Sequence, residues 1–173
     1  GQLIDTQTSY ALPLAFHVVD GDLQKKMAAH LAAAIKTPMA GYTAYSLLTG
    51  FIGTAWISKA LSDNGMSEEA YRLLQYEGYP SWLYPVKNGA TTIWERLNSY
   101  TVKDGFGENN SMNSFNHYSF GAVASWMYNY SLGICRDEKS PGFKHFILKP
   151  EVAPTRGITH AEGYYDSMYG RIS

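Results

Sequence analysis

The chain has 173 residues, 45% of them hydrophobic, with a formal net charge of −1 and no block of like charge. That content excludes a disordered chain. The near-neutral balance excludes nucleic acid or an anionic membrane as the main partner, since both need a basic face. No run approaches the roughly 18 apolar residues of a bilayer-spanning helix.

In chain order, Asp5 or Thr6 is positioned to cap a helix running to about Val19, bent at Pro13. Asp20 or Asp22 opens a second helix, in which Leu23, Met27, Leu31 and Ile35 recur every four residues as one apolar stripe, until Thr37-Pro38 ends it. Residues 38–47 read as loop. A third helix is expected over Gly50–Asp63, with Ile52, Ala55, Trp56 and Ala60 on one side and Gly65 just past its end. Ser67 caps a fourth, with Glu68 and Glu69 in its first turn and Tyr71 and Leu74 inward.

Residues 77–90 carry Gly78, Pro80, Pro85 and Gly89 and read as loop. A short helix is expected over Thr92–Tyr100, and a polar, glycine-containing loop over 103–116. His117–Leu132 has the cleanest helical pattern, with Phe120, Val123, Ala124, Met127 and Tyr128 in one stripe and Gly133 as the stop. Beyond it the period changes. Cys135 has no partner for an internal disulfide and reads as a small core hydrophobe. Lys144–Lys149 and Ile158–Glu162 read as strands, and Tyr164–Ser173 as a hairpin. Asn109 and Asn129 each begin a glycosylation sequon, a match frequent by chance.

The stretch Gly89-Ala90-Thr91-Thr92-Ile93-Trp94-Glu95-Arg96-Leu97 carries the chemistry. It sets one carboxylate between a tryptophan and an arginine, just after the aromatic run Tyr79-Pro80-Ser81-Trp82-Leu83-Tyr84-Pro85. Aromatic faces stack on pyranose rings, and a carboxylate beside them can activate water. From the residues alone, Glu95 is better explained by a salt bridge to Arg96 or by a place in the first turn of a helix than by catalysis. Trp82 and Trp94 suit a pocket wall and a core equally. His117 suits either a ligand contact or a helix-start histidine bonded to a loop carbonyl. No spacing of His, Cys, Asp or Glu suggests a metal site, and neither a phosphate-binding glycine loop nor a nucleophile elbow is present.

Three blocks in register resemble glycoside hydrolase family 78, the inverting α-L-rhamnosidases: Leu48-Thr49-Gly50-Phe51-Ile52-Gly53-Thr54, the run from Tyr79 to Leu97, and Asn116-His117-Tyr118-Ser119-Phe120-Gly121-Ala122-Val123. The likeness extends over nearly the whole chain. Two positions depart from it. Leu97 stands where the family has a second large aromatic, and Tyr45-Ser46 where it has a histidine. The resemblance implies a mainly α fold, with residues 1–138 forming the C-terminal part of an (α/α)6 barrel and 139–173 the first strands of a trailing β-sandwich. It implies Glu95 as general base and His117 as a sugar ligand, with Trp82 and Trp94 at or behind the pocket wall. It implies no cofactor and no metal, and a rhamnose-containing glycoside or polysaccharide as partner.

The general acid is expected on a segment upstream of Gly1. Asp63, Glu77, Asp104 and Glu108 lie in no matching motif. The chain is accordingly expected to be a piece of a longer enzyme, inactive alone, that pairs with the missing N-terminal part or with itself. Cytoplasm and periplasm both fit. Two other classes fit less of the pattern: a non-catalytic carbohydrate-binding or structural helical module, and an (α/α)6 glycosidase of other sugar specificity. A binding module has no need of a carboxylate at position 95.

Overall fold

The computed structural model describes residues 4–39, 41–107, 113–153, 155 and 157–173. It is mainly helical: α1 (Gln7–Ala15), α2 (Gly21–Lys36), α3 (Phe51–Asp63), α4 (Ser67–Gln75), a one-turn α5 (Leu83–Lys87), a 3-10 turn (Tyr118–Ala122), α6 (Val123–Trp126) and a π turn (Met127–Ser131). Four short strands follow: β1 (Ile134–Arg136), β2 (Phe146–Leu148), β3 (Tyr165–Ser167) and β4 (Gly170–Ile172). The chain forms two compact units, Gly1–Ala122 and Val123–Ser173. No helix among the described residues is long and apolar enough to cross a membrane.

In the first unit, α1 begins with a reciprocal cap. The Ser9 N–H donates to Thr6 Oγ1 and the Thr6 N–H to Ser9 Oγ, each at 3.1 Å. The helix stops at Ala15 rather than Val19, because His17 turns into the left-handed region at φ 53°. The stripe expected on α2 holds only in its second half. Leu31 and Ile35 are buried, whereas Leu23 is 57% exposed, and every buried residue of α2 lies between Ala28 and Ile35.

Helix α3 packs against α1, α2 and α4. Its expected face holds at Ala60, which is fully buried, but is displaced elsewhere. Ile52 is 69% exposed, and the buried side runs through Gly53, Thr54, Ile57, Ser58 and Leu61. Small and polar residues form that side because α1 comes close: a Cβ on Gly53 would collide with the Thr8 hydroxyl and press on the Thr49 side chain. Gly50, by contrast, has open space around it and serves as the α3 N-cap position, so it is Gly53 that permits the close packing. On α4 the cap position is Met66. The Ser67 hydroxyl donates to Ser62 Oγ at 2.8 Å instead of closing the helix end. Tyr71 is buried as expected, but Leu73 rather than Leu74 accompanies it.

The expected loop 77–90 contains α5, whose Pro85 sits in the first turn, where no backbone donor is needed. The helix expected over Thr92–Tyr100 does not form. A helix would give the Glu95 N–H to Thr91 O and the Ile93 carbonyl to Leu97 N–H. Instead the Glu95 N–H donates to Ser114 O and the Ile93 carbonyl accepts from His117 N–H, both at 2.9 Å. The Thr101–Gly105 bridge follows. The long helix expected over His117–Leu132 is three short pieces of different pitch. A single 3.6-residue phase therefore fails across it. Phe120 and Trp126 are buried, while Met127 and Tyr128 are exposed.

In the second unit, β1 pairs antiparallel with β2 in the register Ile134↔Leu148, Cys135↔Ile147, Arg136↔Phe146. Strand β1 was not anticipated. It places half-buried Cys135 in a strand, with its thiol donating to Asn129 O at 2.9 Å. Gly133, at φ 71°, lets that strand start hard against the backbone of Lys149 and Pro150, where any Cβ would collide. β3 and β4 form the expected terminal hairpin, Tyr165↔Ile172 to Ser167↔Gly170. Residues 158–162 form no strand. The Asn109 sequon and Glu108 lie outside the described residues, and Asn129 lies half-buried in the π turn.

Candidate functional site

The first unit contains a cleft of about 380 Å³, lined among others by Tyr42, Thr49, Phe51, Tyr79, Glu95 and Arg96. One side is the extended segment leading into α3. Buried Gln7 of α1 clamps it, donating through Nε2 to Ser46 O and accepting from the Leu48 N–H, each at 2.9 Å. The Leu47 N–H donates to Pro80 O at 2.8 Å, which joins this segment to the aromatic run at 79–84. The Thr49 and Thr54 hydroxyls share a 2.6 Å hydrogen bond that fixes the turn into α3. Phe51, at the first position of that helix, is 40% exposed and faces the cleft.

The other side is the 92–99 segment. It turns tightly at Arg96–Ser99, where Ser99 Oγ donates to Arg96 O at 2.8 Å. Half-buried Glu95 projects into the cleft, and one carboxylate oxygen, Oε2, accepts the Ser114 N–H at 2.8 Å. Of the carboxylates among the described residues, Glu95 alone lines this cleft. Glu77 pairs with Lys87 and Asp63 with Lys59, while Asp104 belongs to the Thr101 turn. Burial, reinforced by Tyr42 and Tyr84, raises the Tyr79 phenol above the ordinary tyrosine value. Tyr79 therefore presents a neutral hydroxyl.

Trp82 and Trp94 are 8% and 6% exposed. They line a separate 40 Å³ void with Leu97 and Phe120, not the cleft. The Trp82 indole N–H donates to Phe120 O at 2.9 Å, and Trp94 packs edge-on against Tyr100 and Phe115. Neither indole lines the cleft among the described residues. Leu97, where a larger aromatic was expected, is buried and borders both the void and the cleft. Tyr45, the other departure, faces away into a pairing with Arg72, which lies over its ring and bonds its hydroxyl.

His117 is stacked between two aromatic rings, Phe51 at 4.7 Å and Tyr118 at 5.9 Å between centroids. Its ring does not cap a loop carbonyl. Nδ1 is buried with no hydrogen-bond partner, and the backbone N–H is what reaches Ile93 O. His117 thus joins the cleft through Phe51. Phe51 is not among the residues that the sequence singles out for the site. The signal for it was its place in the Leu48–Thr54 block, next to a capping glycine with open space around it. Among the described residues no cluster of three His, Cys, Asp or Glu side chains could hold a metal ion.

Comparison with known proteins gives one answer. Residues 2–131 match the bacterial alpha-L-rhamnosidase 6-hairpin glycosidase domain. Residues 133–173 match the bacterial alpha-L-rhamnosidase C-terminal domain. An alpha-L-rhamnosidase of Streptomyces avermitilis is 37% identical over 169 residues, 98% of this chain and 15% of that protein. One from Alteromonas sp. is 38% identical over 168 residues, 97% of this chain and 17% of that protein. The crystal structure of the Streptomyces avermitilis enzyme complexed with L-rhamnose superposes with a TM-score of 0.80 at 35% identity, covering 96% of this chain and 15% of that one. The chain thus spans about one sixth of the length of the curated relatives it matches.

Proposed function

This chain belongs to the bacterial α-L-rhamnosidase family, and from that premise we propose that the protein carrying it hydrolyses terminal α-L-rhamnosides with inversion, using Glu95 as general base. The observation that carries the reading is the placement of Glu95: among the described carboxylates it alone lines the cleft, and the Ser114 N–H holds its Oε2 there. The cleft's 380 Å³ suits a monosaccharide with room for a water.

In an inverting step, water attacks the anomeric carbon on the face opposite the leaving group. Glu95 accepts the water's proton as the new C–O bond forms and the glycosidic C–O bond breaks. A protonated carboxyl roughly 6.5–9.5 Å away gives its proton to the departing oxygen. That second group is assigned to a part of the protein outside these 173 residues, the part that would also complete the (α/α)6 barrel wall. Residues up to about 138 belong to the barrel in this reading, and the following strands to the trailing β domain. His117, held between Phe51 and Tyr118 with Nδ1 buried, is left with Nε2 to bond a sugar hydroxyl. Trp82 and Trp94 support the cleft from behind. Inverting hydrolysis needs no cofactor.

The test is Glu95→Gln in the full-length protein, assayed on an aryl α-L-rhamnoside. The variant keeps the shape and can still accept the Ser114 N–H. It loses the base, so kcat falls by about 10²–10⁴-fold, with thermal stability nearly unchanged. NMR of the first product anomer shows inversion. Normal turnover in Glu95→Gln, or a retained anomer, removes the assignment.

A further inference from the structure

We infer that the backbone N–H of Ser114 is the positioning group for the Glu95 carboxylate, holding Oε2 so that Oε1 alone is presented to the attacking water. The inference rests on the reading of Glu95 as base, and it adds a residue that no sequence motif marks.

The geometry is specific. In an antiparallel hydrogen-bonded pair, two facing residues exchange N–H and carbonyl groups. Glu95 and Ser114 make one half of that exchange, Glu95 N–H to Ser114 O at 2.9 Å. The return bond does not go to the Glu95 carbonyl. It goes to Glu95 Oε2, at 2.8 Å. The carboxylate therefore takes the place of a backbone acceptor, and its side-chain torsions are closed into a ring with the main chain. A hydrogen bond to an ionised acceptor is roughly twice as strong as a neutral one. Among the described residues none donates to Oε1, and it is this oxygen that the proposal gives to the water.

The donor is itself held on both flanks. Thr92 Oγ1 donates to Phe115 O at 2.5 Å, the His117 N–H to Ile93 O at 2.9 Å, and Asn113 Nδ2 to Ser99 O at 3.1 Å. Phe115 packs edge-on against Trp94 at 5.2 Å and Phe106 at 5.5 Å. Segment 113–117 is thus laced to 92–99 from end to end, and Ser114 N–H has little room to drift. A base held in one orientation avoids the loss that small misplacements cause, which reaches about a hundredfold for roughly 1 Å. The Ser114 side chain takes no part in the contact with Glu95. Its Oγ accepts from the Asn116 N–H.

The experiment replaces the Ser114 peptide nitrogen by an ester oxygen in the full-length protein, by incorporating the hydroxy-acid analogue of serine. Ser114→Pro, Ser114→Ala, Ile57→Val and Glu95→Gln accompany it. With the donor gone, kcat on an aryl α-L-rhamnoside falls at least about tenfold while KM stays within about twofold. Ser114→Pro loses turnover likewise if it folds, and Ser114→Ala, which keeps the N–H, restores most of it. Ile57→Val, buried in α3 and absent from the cleft lining, lowers Tm without lowering kcat, so instability alone does not mimic the effect. The inference is overturned if the ester variant keeps kcat within about twofold of the parent while Glu95→Gln loses it, or if Ile57→Val matches the ester variant in kcat. Turnover surviving in Glu95→Gln instead overturns the assignment of the base itself.

Discussion

Helices α1–α4 and the segment from Thr92 to His117 lie in the same compact unit, yet different forces hold them. The helices make their hydrogen bonds within four residues and cohere through apolar burial. Leu14, Leu31, Ile35, Ile57, Leu61 and Leu73 are all shut off from solvent, and each such side chain contributes about 1.5–3 kcal/mol. That force is non-directional, and it tolerates small displacements. The 92–117 segment has little regular structure. It is held by directional bonds reaching across about twenty residues, Glu95 to Ser114 and Ile93 to His117. These fix atoms to fractions of an ångström while adding little net stability, about 1 kcal/mol each. On the proposed reading the helical wall supplies the stability, and the clasp supplies the aim. Damage to the first should appear in unfolding, and damage to the second in turnover.

The largest test of that division is Ile57→Ala. Ile57 is fully buried at the centre of α3. Removing three carbons there leaves a cavity and costs about 2–5 kcal/mol. Thermal unfolding of the full-length protein should show the loss as a lower Tm. Assayed well below that Tm, kcat per folded molecule should be unchanged. A drop in kcat at full folding would mean that the helical wall and the clasp are coupled, and the comparison would fail.

Trp82→Phe is the next in size, and it separates a wall from a support. The indole N–H is the donor to Phe120 O, and phenylalanine fills most of the volume without it. A buried carbonyl left without a partner costs about 1–3 kcal/mol. Because Trp82 borders the small void and not the cleft, Tm should fall while KM for an aryl α-L-rhamnoside stays fixed. A raised KM with unchanged Tm would place the indole against the sugar.

This division also explains what could be read in the sequence. The starts of α1 and α2, the extent of α3, and the β3–β4 hairpin follow from capping residues, apolar recurrence and turn residues, which act locally. The buried face of α3 was misread because Gly53, Thr54 and Ser58 are inside by virtue of a close helix approach, which hydropathy does not encode. The 92–100 segment has a passable helical pattern, but its donors and acceptors are taken by 114–117, partners that no local window contains. Glu95, which lines the cleft, is singled out in the sequence by the family resemblance and not by its surroundings. Ser114 was not legible at all, since it offers Glu95 only a backbone N–H, which every residue but proline carries.

The smallest effect expected is that of Gly53→Ala, and it probes the join between the two regions. Replacing glycine by alanine inside a helix gains about 1 kcal/mol of propensity. Against this, the new methyl meets the Thr8 hydroxyl on α1 and the Thr49 side chain. Threonine is stiff about χ1, so the relief must come from backbone movement, and overpacking of this kind costs about 1–3 kcal/mol. The clash wins by about 1 kcal/mol, a modest drop in Tm. The direction of relief matters more than its size. Thr49 lines the cleft and its hydroxyl is bonded to Thr54, so pushing it outward narrows the side opposite Glu95. KM should therefore rise while kcat, which the proposal assigns to the Glu95–Ser114 pair, holds. A lower kcat at constant KM would show that α1–α3 packing sets the aim of the carboxylate as well, and that the clasp does not act alone.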